Sequence, residues 1–157
     1  MLISTHVLSG ALLGRALGRP LPALVLGVGS HLALDSLPHW GHSGGWPPRP
    51  LDDETYRVAV VDGLTGLGLV AAVMRVVAPR SRAAVLAGIV GACLPDLDKP
   101  GRQFFGRSPW PAAFDRMHAC MQVDVENPDR LAADATIAAA LAVATLALLG
   151  AGRHPVG

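Results

Sequence analysis

Two long apolar runs, Val58 to Ala78 and Leu131 to Ala151, constrain this chain more than any other feature. Each is long enough to cross the hydrocarbon core of a bilayer as a helix and far too long for an ordinary strand. Their only ionisable residues lie towards the ends, Asp62 and Arg75 in the first run and Asp134 in the second. Three shorter apolar segments accompany them, Leu2 to Leu17, Leu21 to Leu37 and Ala83 to Leu94. Tight turns at Gly18-Arg19-Pro20 and Pro79-Arg80-Ser81-Arg82 separate the neighbours. The pattern predicts an all-α protein, a membrane-embedded bundle of about five helices built from antiparallel helical hairpins. It reads as a single helical membrane domain over residues 1–157, with polar loops at 38–57 and 97–130, the latter containing a short helix around Asp115-Arg116-Met117-His118. Composition favours this over a soluble metal-binding helical domain. Only 16% of residues are charged, where a soluble domain carries about a quarter, and mean hydropathy is +0.40.

The formal net charge of +1 leaves no basic surface of the kind nucleic acid requires. Cys93 and Cys120 form neither a disulfide framework nor a metal-type pair, and read as small buried hydrophobes. The first apolar segment lacks a basic leader and a small-residue cleavage site, so it is expected to remain in the mature protein. Gly10, Gly14 and Gly18 repeat at a spacing that lets helix backbones approach closely, and His6 shares that face.

The densest chemistry lies in Gly29-Ser30-His31-Leu32-Ala33-Leu34-Asp35-Ser36-Leu37-Pro38-His39-Trp40. His31 and Asp35 stand four apart, on one face of a helix. Pro38 stops the helix, and His39 leaves its end. A second helix ends in Leu94-Pro95-Asp96-Leu97-Asp98, again with a ligand-type side chain after a proline.

If successive segments run antiparallel, their ends sort into two groups. One end collects Arg15, Arg19, Arg75, Arg80, Arg82 and Arg153 and no acid, and its compact basic turns favour a cytoplasmic position. The other collects His6, Asp35, His39, Asp62, Asp96, Asp98, His118 and Asp134, with His31 one turn deeper. Carboxylates and imidazoles are costly in or near hydrocarbon unless they pair or coordinate a cation. A divalent metal resolves that cost. The donor set suits zinc first, with manganese or iron as alternatives. His6, His31, Asp35, His39, Asp96, His118 and Asp134 are the candidate ligands. Asp62 and Asp98 are the candidate catalytic carboxylates. His42 and His154 read as surface residues.

Thr5-His6 with Gly10 and Gly14, and Leu94-Pro95-Asp96-Leu97-Asp98, resemble the inner-membrane metal-dependent hydrolase-like proteins of the YdjM type. Those are small helical membrane proteins with an N-terminal Thr-His followed by glycines, a Leu-Pro-Asp-x-Asp after an apolar helix, and a later Thr-His-Ser. Met117-His118-Ala119 stands in the last position here. A looser similarity is to zinc-dependent phospholipase C proteins, which are all-helical and rich in His and Asp ligands. The resemblance implies a multi-pass protein of a bacterial inner membrane that hydrolyses an ester or phosphoester, a lipid among the candidate substrates, with membrane lipids as its surroundings. The alternative is a non-enzymatic helical membrane protein, either an ion or proton pathway or a metal-stabilised scaffold.

Overall fold

The computed structural model describes residues 1–41, 46–47 and 52–151. His42, His154 and Arg153 lie outside the described residues. The rest forms seven α-helices: α1 (Ile3–Leu17), α2 (Pro20–Asp35), α3 (Asp53–Val76), α4 (Arg82–Cys93), α5 (Asp98–Phe105), α6 (Ala112–Met121) and α7 (Pro128–Ala151). Short 3-10 turns at Pro79–Ser81 and Pro95–Leu97 flank α4. Two-residue strands β1 (His39–Trp40) and β2 (Asp124–Val125) pair in parallel, His39 opposite Asp124. The chain is all-α in class.

Local chemistry sets the boundaries. Gly18 ends α1 in the left-handed region at φ 63°, which glycine adopts without steric cost. Pro20 opens α2 at a position where its missing N–H costs nothing. α3 starts well before the apolar run, inside the stretch read as loop, because the Asp52 side chain accepts from Thr55 N at 2.7 Å and Asp53 and Glu54 complement the first turn. Likewise the 97–130 stretch is not a loop with one short helix but carries both α5 and α6.

The packing also departs from two sequential hairpins. α1 and α2 do lie together, but α4 packs into the groove between them and barely touches its neighbour α3. Glycines decide this. A Cβ at Gly10 or Gly14 of α1 would run into the backbone of α4 around Ala84 and Gly88, and one at Gly91 of α4 into Leu24 of α2. The three backbones therefore meet in van der Waals contact, as small residues allow. The buried apolar cluster joins Val7 and Ala11 of α1, Val85 and Ile89 of α4, and Val73, Val77 and Leu149 from the far ends of α3 and α7.

α3 and α7 are the two described helices long and apolar enough to cross a membrane, with mean hydropathy 1.7 and 2.0 over their best windows. Their apolar side chains face outward, among them Leu64, Leu67, Val143 and Leu148, and only 11% and 17% of those windows are buried. Cys120 is exposed and Cys93 half-buried, so Cys120 is not the buried hydrophobe expected from the sequence.

Candidate metal centre

Four side chains from three parts of the chain converge at the end of α2. His31 and Asp35 come from its last turns, Asp96 from the 3-10 turn after α4, and His118 from α6. All four are buried, each offers one ligand atom, and those atoms lie within 4.8 Å of one another. This group could hold a metal ion. His31 Nε2 stands 3.0 Å from His118 Nε2, 3.2 Å from Asp35 Oδ2 and 3.7 Å from Asp96 Oδ1. His118 Nε2 is 3.4 Å from Asp35 Oδ2 and 3.8 Å from Asp96 Oδ1. Ligands of a tetrahedral ion bound at about 2.0–2.1 Å stand about 3.3 Å apart, so the separations match such a shell.

The proton inventory points the same way. His31 Nδ1–H donates to the Ala92 carbonyl at 2.7 Å. In the neutral ring the lone pair therefore sits on Nε2 and faces another imidazole nitrogen and two carboxylate oxygens. With His118 Nε2 unprotonated as well, four acceptor-type atoms would face one another in a buried space, an arrangement that suits a cation at their centre. Asp96 Oδ1 is buried, with the Lys99 ammonium 2.7 Å away as its close partner.

A surrounding layer fixes the four in place. Asp35 Oδ1 receives the Met1 α-amino group at 2.8 Å and lies 3.2 Å from His6 Nε2. Its Oδ2 accepts from Gln122 Nε2 at 3.1 Å. His6 stacks on His31, ring centroids 4.0 Å apart and 24° from parallel. Trp110 Nε1 donates to the Pro95 carbonyl at 3.1 Å, and Phe114 lies against His118. Burial alone would raise the Asp96 pKa, but Lys99 and then the nearby imidazoles outweigh it and hold the carboxyl below its ordinary value. Burial would lower the Lys99 pKa; the Asp96 and Asp35 charges reverse that and push it up.

The remaining candidates from the sequence have other partners. Asp98 Oδ1 lies 3.9 Å from His118 Nδ1, behind the ring, and Oδ2 pairs with Arg102 at 2.8 Å. Arg102 also pairs with Asp115 at 2.8 Å, so it ties α5 to α6. His39 Nδ1 donates to the Leu37 carbonyl at 2.8 Å, and its Nε2 lies 3.0 Å from Asp124 Oδ1, outside the four-residue group. Asp62 accepts from the backbone N–H groups of Ile3 and Ser4, so it caps α1 from the neighbouring helix. Asp134 accepts from Trp40 N at 2.6 Å and pairs with Arg130 at 3.3 Å, while Arg130 also donates to the Pro38 carbonyl. His6 sits beside the group, at Asp35. Sequence reasoning missed Lys99, Gln122, Asp115 and Asp124. Of these only Lys99 carried a signal, its position three residues after Asp96.

No protein-family model matches this chain, and no curated protein or solved structure matches it.

Proposed function

We propose that this chain is a multi-pass bacterial inner-membrane protein that hydrolyses an ester or phosphoester bond at a metal centre, zinc being the first candidate ion. The observation that carries the reading is the convergence of His31, Asp35, Asp96 and His118, with His31 Nδ1 committed to Ala92 and Nε2 free for a ligand bond. The resemblance of Thr5-His6 and Leu94-Pro95-Asp96-Leu97-Asp98 to YdjM-type proteins supports it. So does the exposure of α3 and α7, because the core helix of a soluble protein would be buried.

When bound here, a divalent ion would supply Lewis acidity towards the substrate oxygen and make water acidic near neutral pH. The protein's own part is positional. Ala92 and His6 fix the His31 ring, Gln122 holds Asp35 Oδ2, and Asp98 stands behind His118. Hydrolysis joins the water oxygen to carbon or phosphorus, breaks the ester bond, and leaves one water proton on the departing oxygen. Asp96, at the edge of the group beside Lys99, faces the side from which substrate arrives.

Elemental analysis of purified protein, without chelators, should find a stoichiometric divalent ion in the wild type and none in Asp35→Ala/Asp96→Ala. Hydrolysis of nitrophenyl ester and phosphodiester probes should rise and fall with that ion. An ion-free wild type would overturn the metal centre. Stoichiometric metal with no hydrolysis of any probe would identify a scaffold instead.

A further inference from the structure

A groove of about 610 Å³ lies between the N-terminal half of α3 and the segment that carries Cys93, Asp96 and Phe104. Its volume is that of a small-molecule site, and its walls follow the usual pattern of apolar lining with few polar groups. Thr55 to Leu67 of α3 form one wall, about 18 Å of helix axis at ~1.5 Å per residue, so the space is elongated. Leu64, Leu67, Leu97 and Phe104 line it and are also exposed on the outer surface, at 65%, 68%, 45% and 66%. The groove is thus continuous with the apolar exterior of α3. Among the four convergent residues, Asp96 is the one that lines it, and Lys99 stands beside Asp96.

We infer that this groove holds the apolar chain of a phosphate-headed amphiphile, which enters from the bilayer and places its head beside Asp96 and Lys99. The seat of the chain stands on the groove itself; the choice of a phosphate head and the chemistry done to it rest on the metal-centre reading above. Shape argues for a chain, because an elongated apolar trough open along its length does not enclose a compact polar molecule. Charge argues for the head. Asp62 and Asp124 also line the groove, but Asp62 is taken by the Ile3 and Ser4 N–H groups and Asp124 by His39; a divalent ion shared by Asp35 and Asp96 would leave the Lys99 ammonium without a counter-charge. Phosphate is the group a lysine ammonium binds as a point charge. A cationic or zwitterionic head would bring a positive group to the same place.

The test uses the full-length protein in vesicles of neutral lipid with a diazirine-bearing dodecyl phosphate, labelled sites being mapped by mass spectrometry. Labelling should concentrate on groove residues, and excess dodecyl phosphate should compete where dodecanol, dodecanoate and inorganic phosphate do not. Leu64→Trp fills the trough from an exposed position and should lower groove labelling about tenfold, with metal content unchanged. Lys99→Ala should lower it by a similar factor of about ten, and Lys99→Arg should restore most of it. Labelling spread evenly over α3 and α7, or insensitive to Leu64→Trp, would mark general lipid contact and overturn the inference. Equal competition by dodecanol or dodecanoate would overturn the phosphate assignment. Because metal content is read separately, groove labelling in an ion-free protein would sink the hydrolase reading and the phosphate assignment, and leave only the seat of the chain in the groove standing.

Discussion

Two His–Asp neighbourhoods lie on either side of the point where α2 ends, and they differ in what they need. In the first, His31, Asp35, Asp96 and His118 present two ring nitrogens and two carboxylate oxygens to a common centre. In the second, each hydrogen bond joins a donor to an acceptor, although Asp124 Oδ2 and Asp134 Oδ1 are buried without one. His39 serves Leu37 and Asp124, and Asp134 takes Trp40 N and Arg130. Both are built around histidines and aspartates that are buried or nearly so. The difference lies in the direction of the hydrogen bonds. A His–Asp pair in which a ring N–H meets a carboxylate closes a fold, whereas one in which lone pairs face one another has room for a cation.

The largest effect that could break this comparison is loss of the ion itself. Asp35→Ala removes the carboxylate that touches both imidazoles and should weaken metal affinity by more than about 100-fold, beyond what loss of a supporting hydrogen bond causes. Asp124→Ala, an equivalent deletion next door, should leave stoichiometry at the wild-type value. Metal titration of the two variants side by side decides it. Equal losses in both would mean that the two neighbourhoods form one site.

Next in size is the support behind α6. Arg102 bridges Asp98 and Asp115, and the Ser108 hydroxyl donates to Asp115 at 2.8 Å. Arg102→Ala leaves two nearly buried carboxylates facing each other without their cation. A loss of about 2–3 kcal/mol in chemical denaturation is expected, discounted for the partial exposure of the guanidinium.

Gln122→Ala should be smaller. Its amide orients Asp35 from one turn beyond His118 without entering the four-residue group. Metal affinity should fall about tenfold while the unfolding midpoint of the metal-free protein stays put, which separates orientation of a ligand from support of the fold.

The helix period made part of this centre legible. His31 and Asp35 share a face because they are four apart, and Leu94-Pro95-Asp96 announces a helix end with a carboxylate beyond it. The glycine repeat on α1 announced close packing but could not name the partner, since Gly88 and Gly91 on α4 fit α1 and α2 better than the adjacent α3. What stayed hidden depends on distant pairing. The β1–β2 bridge is two residues long, too short for an alternating pattern. Yet Val123 N, just ahead of it, donates to the Asp35 carbonyl, and His39 N to Val123 O, both at 3.1 Å. That bridge takes His39 away from the four-residue group. α5 was obscured by its proline and glycine, whereas α6 was legible as the short helix around Asp115 to His118; the contacts of Asp115 and Gln122 were not. The early start of α3, by contrast, was written in Asp52-Asp53-Glu54-Thr55, an N-cap followed by first-turn acids.

The smallest and sharpest test concerns the second neighbourhood. Burial alone would raise the Asp124 pKa, but the hydrogen bond and charge of His39 outweigh it, helped by Lys99 and the α-amino group, and the carboxyl is held below its ordinary value. A carboxyl depressed in the folded state adds stability that is fully present above its unfolded pKa, near 3.8, and is lost as pH falls through the lower folded value. Asp124→Asn keeps an acceptor for His39 but removes the charge, so it should cost about 1 kcal/mol at neutral pH, the gap between a charged and a neutral hydrogen bond. The cost should shrink towards zero below that acid limb. Unfolding midpoints of wild type and variant, followed from neutral pH to the acid limb, should converge there. Curves that stay parallel to the lowest pH would show that Asp124 holds β2 by shape alone, and the contrast between the two neighbourhoods would then rest on the metal measurement.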